Sequence, residues 1–138
     1  MNQLIDLLVK HEGVRRKPYT DTTGNLTIGV GRNLDSMGIS DDEIFHMLRN
    51  DIRRCEDELE NAFRWYNYLN DARQDAMTSM CFNLGITRLR GFRKAIDAME
   101  LGDFDEAADE FMDSLWAKQV GQRAIDVTTM IRTGEYNA

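Results

Sequence analysis

Glu12, Asp21 and Thr27 stand in the spacing Glu-x8-Asp-x5-Thr within the window HEGVRRKPYTDTTGNLT. Two carboxyls and a hydroxyl over so short a span suit chemistry at an acetal. Cleavage of a glycosidic bond needs one carboxyl kept protonated, to donate to the leaving oxygen, and one kept ionised on the water side. Each residue also has a plainer reading: a Glu at a frayed helix end, an Asp in an ordinary Asx turn, a Thr on a strand. What distinguishes them is their surroundings, which the neighbouring residues define.

The segment from Asn2 to His11 has helical spacing. Leu4, Leu8 and Glu12 fall at i, i+4 and i+8, with Ile5 and Leu7 beside them, so Glu12 is expected to end an apolar stripe and to be partly buried. Gly13 suits the C-cap. Partial burial and the negative helix end both favour the neutral carboxyl that a general acid needs. Asp21 lies in TDTTGN, a run of turn-forming residues between KPY and LTIGVG, which read as the two strands of a β-hairpin. A carboxylate there stays solvated and ionised. Within LTIGVG, Leu26, Ile28 and Val30 point one way, and Thr27, Gly29 and Gly31 the other. The second face is bare except for a hydroxyl, open to close approach by a substrate.

The rest of the chain reads as helical scaffold. Ser40-Asp41-Asp42-Glu43 is a capping box. It starts a helix on which Ile44, Leu48, Ile52, Cys55, Leu59 and Phe63 recur every three or four residues. At ~1.5 Å per residue that helix is about 35 Å long. Asn70 is placed to cap a second helix running through Asn83 and ended by Gly85. Further helices are expected at about 92–101, 104–113, 114–118 and 122–131, with Gly102, Gly121 and Gly134 as punctuation.

Taken together, EG…Y-x-D-x-x-G-x-x-TIGVG resembles the active-site signature of the phage lysozymes of the T-even type, glycoside hydrolase family 24. The resemblance continues in order through FNLG at 82–85, GF at 91–92, DEAA at 105–108, SLWAKQVGQRA at 114–124 and TTMIRTGEY at 128–136. A gap between Gly31 and Ser40 marks where larger members carry an extra helix. The resemblance implies an α+β, lysozyme-like fold: one domain over 1–138, with a β-hairpin catalytic lobe at about 13–39, a helical lobe from 1–12 and 64–138, and a connecting helix at 40–63 across a cleft. It implies hydrolysis of the β-1,4 bond between N-acetylmuramic acid and N-acetylglucosamine in peptidoglycan, with inversion. Glu12 would be the general acid, and Asp21 and Thr27 would hold the water. Leu34, Phe82, Asn83 and Glu110 would contact the glycan, an aromatic face packing on a sugar and an amide bonding an N-acetyl group. Arg123 would face the catalytic Glu, and Gln119 and Trp116 would lie nearby. No metal or organic cofactor is implied. The chain departs from the family in Arg32, where a His is common, and in Ala95 and Glu110, where a small polar residue and an amide stand. By the family's register Arg32 is expected to pair with Asp51.

Composition narrows the other possibilities. A net charge of −7 in 138 residues disfavours nucleic acid as a partner. The acidity is uneven, because residues 101–138 carry 8 acids against 3 bases. Arg15, Arg16, Lys17 and Arg32 cluster instead near the candidate trio, where their field would favour an anionic glycan. Cys55 and Cys81 fall in helical patterns and read as buried free thiols, and the two His are too scattered for a zinc site. The first residues carry Asp6 and Lys10 and no cleavage site, so no secretion signal is expected. The expectation is therefore a monomer made in the host cytoplasm, inserting into no membrane and reaching the wall through a separate holin. Three readings stay open beside hydrolysis: a lytic transglycosylase, a non-catalytic glycan-binding module and a helical adaptor.

Overall fold

A computed structural model describes residues 2–137. Contacts group the chain into two units, Met1–Met47 and Leu48–Ala138.

The first unit starts with α1 (Gln3–Glu12), whose N-terminus is capped by the Asn2 side chain accepting from Ile5 N–H at 2.8 Å. Gly13 ends it at φ 75°. Three antiparallel strands follow in the order β1 (Arg15–Thr20), β2 (Leu26–Gly29) and β3 (Arg32–Asn33). The expected hairpin is thus a three-stranded meander. The apolar alternation of LTIGVG suggested one continuous strand, but Gly29 and Gly31 sit at φ 68° and 67°. That left-handed backbone turns the chain between the paired residues Ile28 and Arg32. The apolar stripe of α1 is exposed, contrary to expectation, and Glu12 with it. The short strands bury little: Thr27 is the one buried residue of this unit among the described residues.

The capping box forms as expected. Glu43 N–H donates to Ser40 Oγ at 3.3 Å, and Ser40 N–H donates to Glu43 Oε1 at 2.8 Å. It starts α2 (Asp41–Ala62), within which the boundary between the units falls.

The second unit contains α3 (Asp71–Leu84), α4 (Ile86–Arg90), α5 (Arg93–Leu101), α6 (Phe104–Met112), α7 (Leu115–Val120) and α8 (Gln122–Thr133). Asn70 caps α3 by accepting from Arg73 N–H at 3.0 Å. The core lies here, with Leu59, Met77, Met80, Leu89, Met99, Phe111 and Ile131 fully buried. Cys55 and Cys81 are free and buried, and burial pushes the Cys81 thiol up to about 12. Arg73 ties the start of α3 to the end of α8. Its guanidinium donates to Ile131 O at 2.7 Å and Arg132 O at 3.2 Å, and lies 3.7 Å from the Phe104 ring centroid. The whole is α+β, a helix-rich chain with one small antiparallel sheet.

Candidate active site

Glu12, Asp21 and Thr27 all belong to the first unit. Glu12 is the last residue of α1, and its carboxylate rests against the β2–β3 connection. A Cβ placed on Gly31 would come within 2.8 Å of Glu12 Oε2. The missing side chain at Gly31 is therefore what admits the Glu12 carboxylate to this spot. Glu12 is an exposed residue, so the partial burial expected of it is not found.

Asp21 follows β1 directly, and its turn is held closed from both directions. Asp21 N–H donates to Asn25 O at 2.9 Å, and Gly24 N–H to Asp21 O at 3.1 Å. The side chain is bound asymmetrically. Oδ1 accepts from Thr23 N–H, Thr23 Oγ1 and Asn25 N–H, each at 2.9 Å. Among the described residues Oδ2 has no partner. The Asn25 N–H first, then the Thr23 hydroxyl, hold the Asp21 carboxyl below its usual range. The arrangement supplies an oriented, ionised carboxylate with one oxygen available to water.

Thr27 is paired with Tyr19 across the β1–β2 ladder and with Asn33 across β2–β3. Only 3% of it is exposed, and its hydroxyl donates to Asn25 O at 3.0 Å. The same turn residue, Asn25, therefore contacts both Asp21 and Thr27. Leu34 follows β3, half-buried, with its N–H donating to Leu26 O at 2.8 Å.

In the second unit Phe82 is 46% exposed, a large aromatic surface left uncovered on α3. It lines a groove of about 340 Å³ with Leu48, Ile52, Thr78, Ser79 and Arg123. Arg123 crosses to α3 and donates to Ser79 O at 3.2 Å. Trp116 is buried, and Phe92 lies edge-on to it at 6.4 Å. Its indole N–H donates to Asn83 Oδ1 at 2.8 Å. That bond fixes the Asn83 amide and leaves its NH2 group for an acceptor such as an acetamido carbonyl. Ala95 and Glu110 meet in a second pocket of about 270 Å³, bordered also by Arg93, Lys94 and Asp113. Gln119 is exposed on α7.

The expected Arg32–Asp51 pair gives way to two others. The Arg32 guanidinium forks both oxygens of Glu43 at 2.8 Å and also reaches Gly38 O at 3.0 Å. Asp51 pairs with Arg54 at 3.0 Å, one helical turn away. The capping box explains the choice. Ser40 already holds the Glu43 carboxylate in place, so a bidentate Arg finds it oriented. Sequence reasoning assigned Glu43 to the helix start alone and missed this second role. It also missed the stacking of Arg15 on Tyr19, where the guanidinium carbon lies 4.9 Å from the ring centroid. The spacing gave no signal for it, because residues i and i+4 on a regular strand lie ~13 Å apart, and the β1 register is irregular between these two.

Comparison with known proteins bears on the chain as a whole. The family model described as phage lysozyme matches residues 9–132. A probable T4-type lysozyme 2 of Dictyostelium discoideum is 28% identical over 163 residues, covering 97% of this chain and 96% of its own length. The endolysin of Salmonella phage P22 is 31% identical over 122 residues, covering 83% of this chain and 80% of its own. The pre-baseplate central spike protein Gp5 of Enterobacteria phage T4 is 26% identical over 159 residues, 95% of this chain but 28% of that protein. With the helix-rich α+β fold and a family match spanning nearly its whole length, the chain belongs to the phage lysozyme family and is a lysozyme-type glycosidase.

Proposed function

We propose that this protein is an endolysin that hydrolyses the β-1,4 bond between N-acetylmuramic acid and N-acetylglucosamine in peptidoglycan. Glu12 protonates the leaving oxygen. Asp21 accepts a proton from a water that it and Thr27 position below the ring, and the product forms with inversion. The observation that carries this reading is the division of labour at Asp21, where Oδ1 is saturated by the turn and Oδ2 is open. Phe82 packs on a sugar ring, and the Asn83 amide bonds an acetamido group. Leu34 and Glu110 contribute further contacts, with Arg123 and Gln119 in support. The endolysins among the relatives support a role in lysis. In that role the monomer waits in the host cytoplasm and reaches the wall once a separate holin has opened the membrane. No helix among the described residues is long and apolar enough to cross a membrane.

The test is a turbidity assay on chloroform-treated Gram-negative cells, followed by mass analysis of the released muropeptides. Hydrolysis gives reducing N-acetylmuramic ends. Anhydro ends would mean a lytic transglycosylase, and intact cells a binding module or adaptor. Proton magnetic resonance of the first product formed, read before the anomers equilibrate, checks inversion.

A further inference from the structure

We infer that Arg15, stacked on Tyr19, is a specificity-determining residue that binds a carboxylate of the peptidoglycan strand beside the catalytic trio. The inference rests on the hydrolase reading given above.

Position is the first observation. Residues directly opposite in an antiparallel ladder project from the same face. Tyr19 lies opposite Thr27, and Arg15 opposite Gly29. Thr27 and Gly29 are two apart on β2 and share a face. Arg15 and Tyr19 therefore stand on the face that carries Thr27, although the β1 register slips between them. The strand they belong to is bounded by Glu12 before it and Asp21 after it.

Availability is the second. Arg15 is exposed, and among the described residues it makes no salt bridge and donates no hydrogen bond. Its one defined contact is the Tyr19 ring. A guanidinium held over a ring through its carbon spends none of its N–H donors on that contact, and the planar fork of those donors matches a carboxylate. Among the described residues no acid is paired with it: Glu43 is taken by Arg32 and Ser40, Asp35 Oδ2 accepts Leu26 N–H at 2.7 Å, and the Asp21 carboxylate is held in its own turn through Oδ1. Arg16 and Lys17 add positive charge on the same strand, in no salt bridge among the described residues. In a chain of net charge −7, this strand is where an anionic polymer would be drawn in.

Peptidoglycan offers carboxylates from two sources. Intact strands carry them on the peptide stems, and strands stripped of peptide expose the lactyl carboxylate of N-acetylmuramic acid. The proposal is tested with wild type, Arg15→Gln and Arg15→Lys on three substrates: native sacculi, sacculi whose carboxylates have been converted to neutral amides with carbodiimide and ammonia, and strands stripped by an amidase. On native sacculi Arg15→Gln should raise the half-saturating substrate concentration about tenfold with little change in the maximal rate. Arg15→Lys should recover part of that loss, because it keeps the charge without the fork. On amidated sacculi wild type and Arg15→Gln should coincide. A penalty that persists on stripped strands shows that the lactyl carboxylate can take the place of the stem carboxylate, and one that vanishes there confines the contact to the stem. Equal half-saturation of wild type and Arg15→Gln on native sacculi would overturn the inference and leave the hydrolase reading standing. So would an equal penalty on amidated sacculi. A wild-type protein that cleaves none of the three substrates would remove the hydrolase reading, and this inference with it.

Discussion

Under the proposed mechanism Glu12 and Asp21 have different tasks, and each predicts a different kind of loss. Glu12→Gln keeps size and position but has no proton to give, so lysis should fall at least ~10²-fold in the turbidity assay with the melting temperature near wild type. Asp21→Asn keeps acceptor capacity at Oδ1 but removes the charge, so turnover should drop while sacculus pull-down stays close to wild type. Asp21 also predicts a pH profile. With its folded carboxyl held below the usual range by Asn25 and Thr23, the base stays ionised as the medium turns mildly acid. Activity should therefore survive to a lower pH in wild type than in Thr23→Ala, which loses the hydroxyl that helps hold that carboxyl down. Gly31→Ala is the most selective of these changes. The nearest atoms to its new Cβ belong to the flexible Glu12 side chain, and it sits at φ 67°, at a backbone cost of ~1–2 kcal/mol. The fold should tolerate that, yet the Glu12 carboxylate must move, and a misplacement of about 1 Å can cost ~10²-fold in rate. Lysis near the wild-type rate would show that Glu12 does not act from its place over Gly31.

At the scale of the element, two polar clamps stand out. Glu43 joins the start of α2 to β3 by accepting from Ser40 N–H and from both Arg32 nitrogens. The Arg32 fork first, then the Ser40 N–H, lower the Glu43 carboxyl to about 2. A carboxyl depressed in the folded state stabilises above its unfolded value, and that contribution is lost as pH falls through the folded one. Between pH ~4.5 and ~2, wild type should lose stability that Glu43→Gln never had, so acid melting curves of the two should converge. The second clamp is Arg73 on the last carbonyls of α8. Arg73→Ala should cost about 2 kcal/mol in urea unfolding, since it removes two charge-assisted bonds and a cation–π contact. The helices were legible where a boundary had its own chemistry: the Ser40–Glu43 box, the Asn70 cap, and glycines 85, 102, 121 and 134. They were not legible where it had none. The five-residue α4 has no period to read, and the split between β2 and β3 was hidden by an apolar alternation running through both. The catalytic candidates were readable because their spacing is local. Glu43 as the partner of Arg32 was not, because a capping Glu is already accounted for before any distant cation is considered.

On the scale of the whole molecule, burial is unevenly shared. The large buried side chains all fall between Cys55 and Ile131, whereas the first unit buries only Thr27 among its described residues. Phe111→Ala should thus cost ~3–5 kcal/mol, a large part of what a domain of this size possesses. Amide hydrogen exchange should be fast through the strands of the first unit and slow through α3, α6 and α8, since protection follows buried contacts. Comparable protection in β2 and α3 would contradict this picture. The segregation bears on descent. Under the proposed mechanism the reacting residues and the residues that keep the chain folded occupy separate stretches of sequence, so drift in one need not be compensated in the other. On that reading an inactive descendant would need only one added methyl at position 31, and it would still be a stable protein.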